Sequence, residues 1–334
     1  TSDGNINISG GRLIINNSGA GGKGISADGF LSIGSSSGIP DVTITTTGSK
    51  ITISSSSGGG GGWGGPGGQP GGQSSGDYAE AKAISCNGAV TINQGKVTIS
   101  SADDGIKSEN SITINNGTVT ISKSTEGMES PNITINNGTV SIASSDDGFN
   151  ATNGNGGESN DGSMLNLNGG NIYVNSSTGD GLDSNGSIKI TGGTIAVHGP
   201  QSEPEVGMDC NGTCDVSGGL LVISGINSNM TEAMSTSSSQ YGLKISSSSR
   251  INANTIFNIQ DSDGNNIVTF KPVRNYSSII FSSPSLQNGK SYTIYTGGSS
   301  TGSETSGLYS GGTYSGGTKK KSFPVSGKVT SVSF

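Results

Sequence analysis

The chain has 334 residues, of which 59 are glycine, while only 28% are hydrophobic and 12% charged. A net charge of −7, with guanidinium groups only at Arg12, Arg250 and Arg274, excludes the basic surface that nucleic acid requires. No apolar run approaches membrane-spanning length and no signal-peptide pattern opens the chain at Thr1, so no membrane insertion is expected and the sequence reads as a processed form.

Scattered polar residues in these proportions would mean disorder. Here they are ordered: short β-branched alternations bounded by Gly, Asn or Ser return throughout, and helical periodicity is absent. In chain order, residues 3–57 carry the first strands, with Ile6, Ile8, Leu13, Ile15, Ile25, Leu31, Ile33, Val42, Ile44, Ile51 and Ile53 as the inward set. Residues 58–76 are a glycine-rich insertion, read as a flexible linker or a loop crossing the surface. Its Trp63, the single tryptophan, is either a lid packed on the scaffold or an exposed platform for a sugar ring.

From Ala83 onward one motif recurs: glycine, large apolar, polar, small. It reads Gly105-Ile106-Lys107-Ser108, Gly127-Met128-Glu129-Ser130, Gly148-Phe149-Asn150-Ala151, Gly181-Leu182-Asp183-Ser184 and Gly207-Met208-Asp209-Cys210. Ala83-Ile84-Ser85-Cys86, Gly24-Ile25-Ser26-Ala27 and Gly242-Leu243-Lys244-Ile245 fit it too. The anchors from Ala83 to Gly148 are 22, 22 and 21 residues apart, and later gaps of 33, 26 and 35 require insertions, placed at 153–163 and 199–206. Each unit holds three short strands, such as Ile106-Lys107-Ser108, Ile112-Thr113-Ile114 and the segment after the turn "NNGT". One unit has too few apolar side chains to bury alone, and stacking supplies the rest of the core, so the expected fold is all-β: a parallel β-helix over residues 1–260 with coils of about 22 residues. Asn93, Asn115, Asn136 and Asn168 should form an internal ladder of amide hydrogen bonds, and Gly95, Gly117, Gly138 and Gly170 permit the bend beside it.

Stacking also lines up carboxylates. Asp104, Glu126, Asp147 and Asp180 precede successive anchor glycines, Lys107, Glu129, Asn150, Asp183 and Asp209 follow them by two residues, and Asp103, Asp146 and Glu205 lie alongside. Like charges about 4.8 Å apart repel, and within this strip Lys107 alone offers compensation. A divalent cation would supply the rest. The oxygen-rich donor set, in a chain whose one histidine is His198, favours calcium over zinc. The expected metal ligands are therefore Asp103, Asp104, Glu126, Glu129, Asp146, Asp147, Asp180, Asp183, Glu205 and Asp209, with Lys107, Asn150 and Trp63 as residues that contact a ligand. The two insertions adjoin the strip as walls of a groove. Cys210 and Cys214 are placed either to bridge a turn or, with Cys86, to serve as small core residues.

Residues 261–334 hold most of the aromatics and hairpin-like turns, and read as a β cap on an otherwise open helix end, or as a docking surface for end-to-end stacking of copies. Lys319-Lys320-Lys321 reads as a solvated strand edge.

The units "DDGIKSENSITINNGTVTIS" and the tail "FKPVRNYSSIIFSSPSLQNGKSYTIYTGG" resemble carbohydrate-binding, calcium-containing right-handed β-helix proteins secreted by clostridia, a family similar in fold to the pectate lyases. The resemblance implies a right-handed helix, an extracellular or cell-surface location, and calcium-assisted binding of polygalacturonate or cellulose. A pectate lyase acting by β-elimination is the enzymatic alternative, with Lys107 as its base, and a structural filament is the third. The acidic strip lacks the arginine such lyases use, which favours binding without catalysis.

Overall fold

The computed structural model describes residues 1–52, 78–154 and 159–334; Ile53 and Trp63 lie outside the described residues. The described elements are all strands, and none is a helix long and apolar enough to cross a membrane.

The sequence units each contribute to three parallel sheets. Ile25–Ala27, Ile84–Cys86, Ile106–Ser108, Met128–Ser130, Phe149–Ala151, Leu182–Ser184 and Met208–Cys210 stack in that order as a seven-stranded anchor sheet. Strands such as Ile112–Ile114 and Ser187–Ile190 form an eight-stranded middle sheet, and those following the glycine turn, such as Thr118–Lys123 and Asn171–Ser176, begin an eleven-stranded long sheet. Each strand thus pairs with its counterpart one repeat away rather than with its sequence neighbour. Ile106 opposes Met128, then Phe149, Leu182 and Met208 follow in register, and none of the five is more than 2% exposed. This is the buried stack that the anchor spacing predicts.

Two glycine positions have different physical reasons. A Cβ on Gly148 would stand 2.3 Å from Val174 Cγ1 and 2.5 Å from the Gly181 carbonyl oxygen, so close approach to the next repeat excludes a side chain. Gly138, in the turn, has φ +94°, a conformation that L side chains rarely adopt.

The asparagine ladder exists, but not inside. Asn115 Nδ2 donates to Asn93 Oδ1 at 2.9 Å, Asn136 to Asn115 at 2.8 Å, and Asn168 to Asn136 at 2.9 Å. Asn115, Asn136 and Asn168 are exposed, which corrects the expectation of an internal ladder. The turn lies at the corner between the middle and long sheets, where side chains project into water. Asn136→Ala should therefore lower unfolding free energy by about 0.5–1.5 kcal/mol, below the cost of an orphaned buried amide, as read from a denaturant midpoint.

The run of stacked repeat strands in the long sheet ends at Leu220–Gly225, whose free edge is taken antiparallel by Tyr276–Ser282; Gly242–Ile251 then pairs antiparallel with that strand, and Val329–Ser333 adds parallel to Gly242–Ile251. Gly242 to Ile245 therefore sits in the long sheet and not in the anchor sheet, because its four-residue pattern fits any alternating strand and its partner is the tail. The end of the core is covered by residues 226–241: Met234 is buried in it, and Ser235 and Ser238 accept hydrogen bonds from the Cys214 and Val216 amides. The aromatic tail builds a six-stranded antiparallel sheet with its own core of Phe257, Phe270, Tyr292 and Phe323, packed on the outward side of the long sheet through Ala196 and Val222. Lys319, Lys320 and Lys321 lie exposed on its edge strand, Tyr314–Pro324. At the opposite end of the molecule Ile6, Ile8, Leu13 and Ile15 are only partly buried, and Ile51, expected inward, is exposed at the end of a short two-stranded pairing. Cys86 is a free, buried core residue, whereas Cys210 and Cys214 form a disulfide.

Candidate cation and carbohydrate site

The acidic residues occupy the turns by which the chain leaves the long sheet and enters the anchor sheet. Backbone hydrogen bonds from Gly105 to Glu126, Gly127 to Asp147, Gly148 to Asp180 and Gly181 to Val206 place Asp104, Glu126, Asp147 and Asp180 in one column. The side chains that follow the anchors are in register as Lys107, Glu129, Asn150, Asp183 and Asp209. Asp103 and Asp146 form an outer row with Thr125 between them, linked by backbone bonds, and Glu205 lies close enough to raise the proton affinity of Asp147, Asp180 and Asp183.

Three of the column acids also clamp the turn of the next repeat, a role the sequence did not reveal. Asp104 Oδ1 accepts from the Glu126 amide at 3.4 Å, Asp147 Oδ1 from the Asp180 amide at 2.7 Å, and Asp180 Oδ1 from the Val206 amide.

Lys107 does not compensate the strip alone. Lys82 Nζ lies 2.8 Å from Asp103 Oδ2 and 2.9 Å from Glu80 Oε2, and is bonded to Asp104 as well. Its position was legible, since it is the residue before the Ala83 anchor and so belongs to the same column: the Ala83 amide bonds to the Asp104 carbonyl. Burial pulls the Lys82 ammonium down, but Asp104, Asp103 and Glu80 together raise it well above the ordinary lysine value. Lys107 Nζ sits 2.6 Å from Glu129 Oε1. Burial lowers its pKa too, but Glu129 and Glu109 outweigh that, so Lys107 stays protonated, the wrong form for a base.

Past this lysine-paired end the carboxylates meet mainly one another. Burial, then neighbouring acids, pushes Asp183 up to about 8. Burial also carries Asp180 to about 9 and Asp147 to about 7, even though each accepts a backbone hydrogen bond that favours its charge. Glu126 is raised by burial and by Glu129, Asp104 and Asp147. Its Oε1 accepts from Asn150 Nδ2 at 3.1 Å, yet Glu126 Oε2 and Asn150 Oδ1 are buried with no hydrogen-bond partner.

Two clusters bring one oxygen from each of three acids within 4.8 Å of one another: Asp104, Glu126 and Glu129, and Asp180, Asp183 and Asp209. That separation fits a hard cation with oxygen ligands at about 2.3–2.6 Å. In the first cluster Lys82 and Lys107 already hold Asp104 and Glu129. The second offers the stronger demand for a cation. A third grouping, Cys210, Cys214 and Glu232, offers no thiolate because its sulfurs are bonded to each other. Beside Asp209 a hollow of about 360 Å³ is bounded by Asn229, Met230 and Glu232. The insertion expected as a wall at 199–206 does reach the strip, through the Val206 amide on Asp180; of the insertion expected at 153–163, residues 155–158 lie outside the described residues.

Residues 1–127 match the family model described as "Carbohydrate-binding domain-containing protein". Among curated proteins and solved structures, none matches the chain. The matched stretch includes the turn of Asp103 and Asp104 and reaches Glu126, and it supports a carbohydrate-binding role for the chain.

Proposed function

We propose that the chain is an extracellular, calcium-binding polysaccharide-binding protein, built as a right-handed parallel β-helix, whose ligand is an acidic cell-wall glycan such as polygalacturonate, or cellulose. The observation that carries the reading is the convergence of Asp180, Asp183 and Asp209, with one oxygen each within 4.8 Å, on one face of stacked repeats. Asp180 and Asp183 are pushed to about 9 and about 8, so an ion there would replace protons rather than water. A bound calcium would supply the positive charge that lets a uronate carboxylate approach this face, with coordination positions left over from the protein ligands. The Cys210–Cys214 disulfide agrees with an oxidising compartment outside the cell.

Depletion of the purified protein by insoluble pectate and by cellulose, with calcium and with chelator, tests the proposal. Pectate should remove more of the protein in calcium than in chelator, and cellulose should be less sensitive to the metal. Failure of both solids to deplete it would end the reading. Polygalacturonate incubated with the protein and calcium at alkaline pH should develop no ultraviolet absorbance from unsaturated uronides, because Lys107 is locked as a cation. Absorbance growth abolished by Lys107→Ala would reinstate the lyase.

A further inference from the structure

A second concave surface lies on the outward side of the long sheet, where the tail packs against it. A hollow of about 220 Å³ is lined by Tyr173, His198, Val273 and Ser306. One of about 320 Å³ is lined by Lys123, Ser124, Ser144 and Arg274. Ala143 and Asn175 line both, so the two form one trough. It crosses the strands Thr118–Lys123, Thr139–Ser144, Asn171–Ser176 and Thr194–His198, neighbours in the sheet. At the spacing of paired strands that is about 14 Å, room for a short stretch of oligosaccharide.

The chemistry of the trough differs from that of the acidic face. In a chain of net charge −7, no Asp or Glu among the described residues lines either hollow. Arg274 Nη1 is held by the carbonyl oxygens of His198 at 3.1 Å and Gly199 at 3.4 Å. Burial lowers its pKa, and among the described residues no carboxylate forms an ion pair with it. A half-buried guanidinium fixed by backbone and lacking an anion is poised to take one. The hydroxyls of Ser124 and Ser144 are buried away from the trough, whose exposed polar lining includes Lys123 and Asn175. Tyr173 stands half-buried between Ser141 and Ala196 in register, so its ring rises above small neighbours on the same face. His198 anchors the wall: it stacks on Phe270 with centroids 4.9 Å apart, and its Nε2 bonds to the Ser306 carbonyl oxygen at 2.9 Å.

We propose that this trough is a second saccharide site that takes a carboxylated sugar segment without a metal ion. The carboxylate pairs with Arg274 and Lys123, the ring lies on Tyr173, and the sugar hydroxyls bond to Asn175. The inference rests on the reading of the chain as a polysaccharide binder, but on a different face and with different chemistry.

Titration calorimetry with a short oligogalacturonate, in chelator so that the acidic face is disabled, tests it on the full chain. The wild-type protein should bind. Arg274→Gln should weaken binding about tenfold or more, the value of a charge-assisted pair, and Arg274→Lys should retain most of it. Tyr173→Ala should weaken a neutral gluco-oligosaccharide as well, which Arg274→Gln should leave unchanged. Should Arg274→Gln prove unstable, amide shifts on the wild-type chain decide: Lys123, Tyr173 and Asn175 should move as the oligosaccharide is added. Equal affinity of Arg274→Gln and wild type, or binding seen in calcium alone with those amides unmoved, overturns this inference and leaves the proposed function standing. Absence of binding in calcium and in chelator removes this inference together with the acidic-glycan part of the proposed function.

Discussion

Removing calcium is expected to lower the melting temperature of this protein, and to lower it further as pH rises from mildly acidic to mildly alkaline. Asp147, Asp180 and Asp183 are lifted by burial to about 7, 9 and 8 from an ordinary aspartate value of 3.8. A carboxylate whose folded pKa is raised contributes stability that is complete below its unfolded value and disappears as pH climbs through the folded one. In chelator the folded state should therefore weaken steadily between about pH 4 and pH 9, as buried acids lose protons and face one another charged. A bound cation takes the place of those protons and removes most of that slope. Each occupied site adds about 2.7 kcal/mol at a hundredfold excess over Kd. Calorimetric scans in calcium and in chelator across this range check the claim, together with proton release on adding calcium. Coincident melting curves in the two media at alkaline pH would reduce the strip to a solvated face.

What could be read from the sequence, and what could not, follows from how far each feature reaches along the chain. The buried stack from Ile106 to Met208 was visible because one residue per unit repeats at a nearly constant interval, and parallel stacking converts that interval into register. The two acidic columns followed from the same registration. Lys82 was equally accessible, since Ala83 is an anchor without its glycine, but the column was not carried back past Asp104. The clamping of each turn by the preceding acid depends on side-chain rotamers that no spacing encodes. Gly242 to Ile245 misled because a four-residue alternation states strand and face but not which sheet receives it. The trough at Arg274 had no local signal at all. Its wall lies some 100 residues beyond Tyr173 in the chain and arrives there only because Phe257, Phe270 and their neighbours bury themselves against Ala196 and Val222.

Asp183→Asn should change sign with the metal, which separates a cation site from a merely acidic surface. The amide fits the column, since Asn150 already occupies the equivalent place one repeat earlier and pairs in register with Asp183. In chelator above neutral pH the variant should melt higher than wild type, because it removes a charge that burial and then Asp147, Asp209 and Glu205 oppose. The gain should be about 1–3 kcal/mol, less than the full pKa displacement because neighbouring acids readjust. In calcium the order should reverse. The cluster with Asp180 and Asp209 loses one of its three charged ligands, and calcium affinity should drop by about tenfold or more as ligand charge falls. Near pH 4 in chelator the two chains should melt together, since a protonated carboxyl and an amide are alike in size and polarity and wild-type Asp183 is neutral there. A variant less stable than wild type in both media and at every pH would mean that Asp183 serves the fold through its own hydrogen bonds, and that no ion is drawn to this face.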